Sequence, residues 1–357
     1  MSKKVAIFYA GAKNWGGVET YIEQLFENVD KKKLELILVS FGKWELGERL
    51  QKGGFGVITL SSSWYNPVIL WQLVSLVKGK NFNLIASQGM VANFFGGIVS
   101  LVSRVPSLVT VHSDYKYDYH GYKKYLYATT FWLTKAFTKR YITVSKFLKN
   151  EIMKFGIPDE KIIVVYNGVV DVGEQAKLPE GQIIIGSMAR LHHKKGYQML
   201  IEAVSKLTDL DWKLYIWGEG AERPKLERLI DELNLKDRVY LPGFTKDVPG
   251  SMAQVDIYIQ PSLEEGFGIT VAEAMYSAKP IIVTPAGSLP ELITDGKTGL
   301  ITPDVSNEAI AIELREAIEN IGQLRSLGEA ARVAALQRFG IDTWIRNIAK
   351  VYADAAV

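Results

Sequence analysis

Short runs of β-branched and aliphatic residues recur along this chain, each followed by a stretch whose apolar residues repeat every three to four positions. The runs Val5–Tyr9, Leu36–Val39, Val57–Leu60, Leu84–Ala86, Leu108–Val111 and Tyr141–Val144 form a first series. A second consists of Ile183–Gly186, Trp212–Trp217, Val239–Leu241, Ile257–Ile259, Ile281–Val283 and Leu300–Ile301. Strands joined through helices pair in parallel, because a crossover between parallel neighbours needs a dozen or more residues and a helix supplies them. Two doubly wound α/β domains are expected, and 357 residues are enough for both. The divisions read as residues 1–170, residues 171–340 and a terminal helical segment, 341–357, returning toward the first domain. Asp, Gly, Pro and Glu interrupt the pattern in Val170–Gln182, which places the connection there. From Ser306 onward the pattern is almost all helical, with Asp342 placed to cap a last helix containing Trp344 and Tyr352.

Hydrophobic residues make up 48% of the chain and charged residues 23%, a balance that excludes a disordered polymer. The absence of cysteine removes disulfides, thiolate catalysis, iron–sulfur clusters and cysteine zinc sites together. Net charge is +3, but residues 1–170 hold 22 Lys/Arg against 12 Asp/Glu, whereas residues 171–357 hold 20 against 27. The basic excess concentrates in residues 116–154, nine cations against Asp118 and Glu151. Val5–Tyr9 is too short for a secretory signal, and turn or polar residues break the uncharged stretches 53–77 and 81–103. A cytoplasmic protein is expected.

Ligands of doubly wound sheets sit at the carboxyl ends of the strands, so the loops there carry the functional information. Gly11, Gly16 and Gly17 have the wrong spacing for a dinucleotide fingerprint, and Gly296-Lys297-Thr298 lacks the leading glycine of a P-loop, Glu291 standing in its place. The first strand leads instead into Asn14-Trp15-Gly16-Gly17-Val18-Glu19, opening onto a helix over Glu19–Asn28. Bare backbone at a helix start can admit an anion, or can simply make a tight turn. In the second series, Arg190 and Lys195 lie between strand Ile183–Gly186 and helix Tyr197–Leu207, where two cations could grip a diphosphate or form a solvated turn. His192 and His193 lack a nearby third ligand and read as solvated.

The segment Gln260–Met275 holds Glu265 and Glu273 eight residues apart, with Gly266 and Gly268 between them, at the end of a strand and the start of a helix. Two carboxylates with free amides between them suit a ligand with several hydroxyls; paired hydrolase acids or ordinary helix N-terminal carboxylates are the alternatives. Together these residues give a pattern in which the chain resembles the retaining GT-B glycosyltransferases of family 4 over nearly its full length. The resemblance rests on Gly16-Gly17-Val18-Glu19, Val111-His112-Ser113, Tyr166-Asn167-Gly168, Gly186 through Arg190 to Lys195-Gly196, and Pro242-Gly243-Phe244. It continues in Glu265-Gly266-Phe267-Gly268 with Glu273, Gly287-Ser288-Leu289-Pro290-Glu291 and Asp295-Gly296.

That resemblance implies two Rossmann-like domains facing a central cleft, the first on the acceptor side and the second holding a nucleotide sugar. Arg190 and Lys195 would neutralise its diphosphate, helped by Gly16 and Gly17. Glu273 would take the ribose hydroxyls; Glu265 and the amides of Gly266, Phe267, Gly268 and Ile269 would hold the sugar, and Gly243 and Phe244 would meet the base. His112 would line the reaction centre beside the acceptor, with Glu265 as its catalytic counterpart. Fixed cations and helix N-termini would stabilise the leaving diphosphate, so neither a metal nor a cofactor is expected, and UDP-sugars are favoured over GDP-sugars. Asn167-Gly168-Val169-Val170-Asp171 departs from the family pattern by one residue, and no role is carried onto Asp171. A nucleotide-sugar epimerase, a phosphorylase or a non-catalytic nucleotide-sugar-binding protein are the alternatives.

Residues 115–141 carry ten aromatic side chains interleaved with lysines. Such a segment can rest in the headgroup layer of an anionic membrane, each nearby cation contributing about 1 kcal/mol. Peripheral attachment through residues 115–154 to the inner face of the cytoplasmic membrane is therefore expected, with a lipid-linked or surface-polysaccharide precursor as acceptor and no nucleic-acid partner. An ordinary packed helix with a solvated face is the other reading of this segment.

Overall fold

A computed structural model describes residues 2–11, 15–60, 68–114, 122–173 and 181–356. Asn14, Tyr115, Tyr117 and Tyr119, and positions 174–180 of the connecting segment, lie outside the described residues. The chain divides into two units, Met1–Gly168 with Ile341–Val357, and Val169–Gly340.

The first unit is built on a seven-stranded sheet. Its strands are β1 (Lys3–Tyr9), β2 (Leu34–Ser40), β3 (Gly56–Thr59), β4 (Leu84–Gln88), β5 (Ser107–Val111), β6 (Thr138–Thr143) and β7 (Ile162–Val164). The order is β3-β2-β1-β4-β5-β6-β7, every neighbouring pair parallel. Its helices are α1 (Gly17–Asn28), α2 (Glu45–Lys52), α3 (Val68–Gly79), α4 (Met90–Ser103), α5 (Tyr122–Thr134) and α6 (Lys146–Met153). Side chains alternate faces along a strand, so β1 divides its apolar residues between two cores. Val5, Ile7 and Tyr9 pack with Tyr21, Leu25 and Leu46, while Ala6 and Phe8 pack with Ile69, Leu73 and Phe95. Strand β7 is not among the runs expected from the sequence, since three residues are too few to show a period.

The second unit repeats the scheme on six parallel strands. They are β8 (Ile183–Met188), β9 (Trp212–Trp217), β10 (Val239–Gly243), β11 (Ile257–Gln260), β12 (Ile281–Val283) and β13 (Leu300–Ile301), in the order β10-β9-β8-β11-β12-β13. Between and after them run α7 (Tyr197–Val204), α8 (Arg223–Glu232), α9 (Val248–Ala253), α10 (Ile269–Tyr276), α11 (Leu289–Leu292), α12 (Asn307–Glu319) and α13 (Ile321–Arg338). Ser306 caps α12 by accepting from the Ala309 amide at 3.1 Å, which satisfies one of the donors a helix start leaves free.

The last helix, α14 (Ile341–Ala355), rejoins the first unit. Trp344, Ile348 and Tyr352 from α14 share a core with Tyr21, Leu25 and Leu36. Because α14 starts at Ile341, Asp342 lies within its first turn, where a negative charge suits the helix dipole, and not at the cap position expected for it.

Candidate functional site

In each sheet the chain winds outward from the first strand in one direction and then restarts on its other side. Loops leaving the two central strands therefore part, opening a crevice at their carboxyl ends. In the second unit these strands are β8 and β11. The loop after β8 carries Arg190 and Lys195, and the loop after β11 carries Glu265 through Gly268.

Backbone hydrogen bonds tie these loops into one layer. The Ala189 and Leu191 amides donate to Trp217 and Glu219 carbonyls at 3.1 and 2.9 Å, and Gly218 donates to Gly243 at 2.9 Å. On the other side the Leu263 amide donates to the Lys194 carbonyl at 2.8 Å. Gly196 makes that closeness possible: its φ is +69°, and a Cβ there would stand 1.9 Å from the Pro261 carbonyl oxygen. Gly287 does the same for the Glu265 loop, since its Cβ would meet the Glu265 carbonyl oxygen at 2.2 Å. The Ser288 amide then donates to that same oxygen at 3.0 Å.

Lys195 and Glu265, 70 positions apart in the chain, meet at this edge. Lys195 Nζ donates to Glu265 Oε2 at 2.6 Å, with the side chains only 15% and 12% exposed. A partly desolvated pair of this kind orients both groups more than it stabilises the fold, because desolvation offsets most of the attraction. Ser262 Oγ donates to the same oxygen at 3.4 Å, Gln260 Nε2 donates to Ser262 Oγ at 2.9 Å, and the Tyr258 hydroxyl donates to Gln260 Oε1 at 3.0 Å. This buried chain behind Glu265 escapes a reading of loop motifs, since Tyr258 and Gln260 sit on β11 and look like strand residues.

Arg190 is exposed, and its guanidinium has neither hydrogen bond nor ion pair among the described residues. Glu273, on α10, has Oε2 buried without a hydrogen-bond partner among the described residues, and desolvation pushes its carboxyl up from 4.5 to about 7. A buried acceptor without a donor is costly and is the kind of group a ligand hydroxyl can satisfy. Gly268 starts α10 at φ +94° with no side-chain cap, and the first intrahelical bond runs from Ala272 to Gly268. The first amides of α10 are therefore left for a ligand or water. Gly266 and Phe267 are buried, and the Phe267 ring packs against Phe339, centroids 5.5 Å apart. Gly243 closes β10, and Phe244 beyond it projects into solvent with 57% exposure.

The first unit has its own crevice between β1 and β4. Gly16 and Gly17 start α1, where Gly16 provides no side-chain cap. His112 follows β5, and its Nε2 lies 2.8 Å from Gln88 Oε1. Burial holds the imidazole down at about 4, so it is neutral near pH 7; Gln88 then accepts from Nε2–H and leaves Nδ1 as an acceptor. Gln88 Nε2 donates in turn to the Tyr352 hydroxyl at 3.5 Å, and Tyr21 stands edge-on to the His112 ring at 4.7 Å. Gln88 does not stand out in the sequence; its one signal is a polar residue closing a buried strand, as His112 follows β5. Among the described residues no group of three or more His, Asp and Glu gathers as a metal site, and no helix is long and apolar enough to cross a membrane.

Comparison with known proteins assigns both units. Residues 15–171 match the model described as Glycosyltransferase Family 4, and residues 172–334 match Glycosyl transferases group 1. An uncharacterized glycosyltransferase of Methanocaldococcus jannaschii is 24% identical, over 95% of each chain. The O-antigen biosynthesis glycosyltransferase WclY of Escherichia coli is 27% identical over 66% of this chain and 69% of its own. In fold, the Anabaena protein HepE, solved with UDP and glucose, superposes with a TM-score of 0.85 at 21% identity, covering 98% of this chain and 99% of its own. Two parallel Rossmann-like sheets, two adjoining family models and relatives of this kind establish that the chain belongs to the GT-B glycosyltransferases, in the family of glycosyl transferases group 1.

Proposed function

We propose that the protein transfers a sugar, with retention of anomeric configuration and without a metal, from a UDP-sugar to a glycan or lipid-linked acceptor at the cytoplasmic face of a membrane. The observation that carries this reading is the grouping, on the carboxyl edge of one sheet, of the Lys195–Glu265 pair, the unpartnered Arg190 and the orphaned carboxylate oxygen of Glu273. Arg190, Lys195 and the α10 amides meet the negative charge that develops on the diphosphate as the anomeric bond breaks. Glu265, steadied by Lys195 and Ser262, accepts from sugar hydroxyls, and Glu273 accepts from the ribose. Gly243 and Phe244 border the base. His112 offers Nδ1 to a hydroxyl of the reacting sugars. HepE, solved with UDP and glucose, favours uridine in the donor, and WclY favours a surface-polysaccharide acceptor. For the membrane, Tyr125, Trp132, Leu133 and Phe137 are exposed on and just after α5, next to the basic stretch that reaches Lys154.

Release of nucleoside diphosphate from a panel of UDP-, GDP- and ADP-sugars tests the donor. UDP release is expected, with KM raised at least tenfold in Arg190→Ala, since a charge-assisted contact to phosphate is worth about 1.5–3 kcal/mol. Failure of every donor to bind would refute the reading.

A further inference from the structure

A cavity of about 390 Å3 opens in the first unit beside the start of α1. Tyr9 from the end of β1, Trp15 and Glu19 at the start of α1, and Lys43, Trp44 and Glu45 leading into α2 line it. Its volume falls within the range of small-ligand sites, about 300–1,000 Å3, and accommodates a pyranose ring with room for part of a second.

The walls are aromatic, and their polar handles are already used. Trp15 Nε1 donates to Thr20 Oγ1 at 3.0 Å and Trp44 Nε1 donates to the Phe41 carbonyl at 3.3 Å, so the indoles offer π surface to the cavity. Gly11 lies directly against the Trp44 ring, and the Arg49 guanidinium covers the Trp15 ring at 4.2 Å. Arg49 is itself neutralised by Glu23 at 2.7 Å. Both indoles are thus held in place before a ligand arrives, which lowers the entropy cost of binding.

Glu19 supplies the polar anchor. It is only 5% exposed, the Tyr9 hydroxyl donates to its Oε1, and its Oε2 takes no hydrogen bond among the described residues. A carboxylate so enclosed seeks hydroxyl donors. Among the described residues the lining holds two carboxylates, Glu19 and Glu45, against one ammonium, Lys43, with the Tyr9 phenol beside them, a balance that disfavours a phosphate or a second nucleotide. Apolar aromatic walls, a buried acceptor and no surplus of positive charge together select a neutral polyol with one hydrophobic face.

We infer that this cavity is the subsite that seats a pyranose of the acceptor, with Trp15 and Trp44 as its apolar walls and Glu19 accepting from its hydroxyls. The inference rests on the proposed glycosyl transfer and gives its acceptor a chemical class, a glycan that enters with an uncharged hexopyranose. Saturation-transfer NMR with methyl glucoside, galactoside, mannoside and N-acetylglucosaminide, each at millimolar concentration, tests it directly. At least one glycoside is expected to receive saturation from the wild-type protein. The signal should fall at least fivefold in Trp44→Ala and in the isosteric Glu19→Gln, which keeps the inference testable if loss of the Trp44 ring unfolds the unit. UDP binding by the wild-type protein is measured alongside. Undiminished glycoside signal in a folded Glu19→Gln protein overturns the subsite. A wild-type chain that binds UDP but contacts no glycoside overturns the subsite alone, and one that binds neither overturns the proposed function with it.

Discussion

Exchange of Glu273 for glutamine removes a buried charge without changing side-chain shape, and its effect can be worked from the structure. Desolvation lifts the carboxyl from 4.5 to about 7. An acid whose folded value is raised binds its proton more tightly in the folded state, so the stability tied to that proton is complete below pH 4.5 and is lost as pH rises to about 7. A gap of this size corresponds to about 3 kcal/mol of destabilisation above pH 7, at 1.36 kcal/mol per unit of pKa. Glu273→Gln should therefore be more stable than wild type by about 3 kcal/mol at pH 8 and by less than about 1 kcal/mol at pH 5. For a unit of this size that means a Tm gain of roughly 6–10 °C at pH 8. In the proposed donor site this carboxyl accepts from ribose hydroxyls, and its ionised form is the stronger acceptor, so UDP binding should release a proton below pH 7, and affinity should weaken by up to about tenfold per pH unit there. His112, neutral down to about pH 4, adds no acid limb in that window. Thermal unfolding of both proteins at pH 5 and pH 8, with UDP titration calorimetry in buffers of different ionisation enthalpy, measures the two effects. A Tm difference independent of pH, or UDP binding without proton release at pH 6, would refute the argument from desolvation.

Two further perturbations address the loops and the surface. Gly287→Ala places a Cβ 2.2 Å from the Glu265 carbonyl oxygen at a φ of +58°, so binding of a UDP-sugar should weaken at least tenfold and Tm should drop by several degrees; a variant with wild-type affinity would show that the Glu265 loop does not depend on this contact. In a flotation assay the protein should rise with vesicles containing phosphatidylglycerol at low salt and be released at high salt, where screening removes the attraction of the basic stretch. Absence from the floating fraction at low salt argues against membrane attachment.

The fold was legible because the alternation of strands and helices is a periodic signal spread over whole segments, and it located twelve strands that the structure contains. What it could not reach were short pieces and pairings. Strand β7 has three residues, and α14 packs Trp344 and Tyr352 into a core with Tyr21 and Leu25, which are distant in sequence. Within the site, Arg190, Lys195 and Glu265 stood out as charged residues in glycine-punctuated loops, and Glu273 as a carboxylate on the helix that follows. Their partners did not. The Lys195–Glu265 pair spans 70 positions, and Gln260, Ser262 and Gln88 carry no spacing that ties them to Glu265 or His112. The Trp15–Trp44 cavity stayed hidden for the same reason: its wall joins the start of α1 to the entry of α2, two loops that meet only once β1 and β2 pair.

The placement of α14 also bears on biosynthesis. One core of the first unit requires Trp344, Ile348 and Tyr352, yet the whole second unit is translated between Gly168 and Ile341. At about 5–20 residues per second, roughly ten to thirty seconds separate release of the first unit's sheet from arrival of the helix that covers it. During that interval the nascent sheet presents Leu36, Leu38 and Leu108 without their final cover, while the second unit, continuous in sequence, completes its own core first. The ribosome thus delivers the second unit finished and the first unit last.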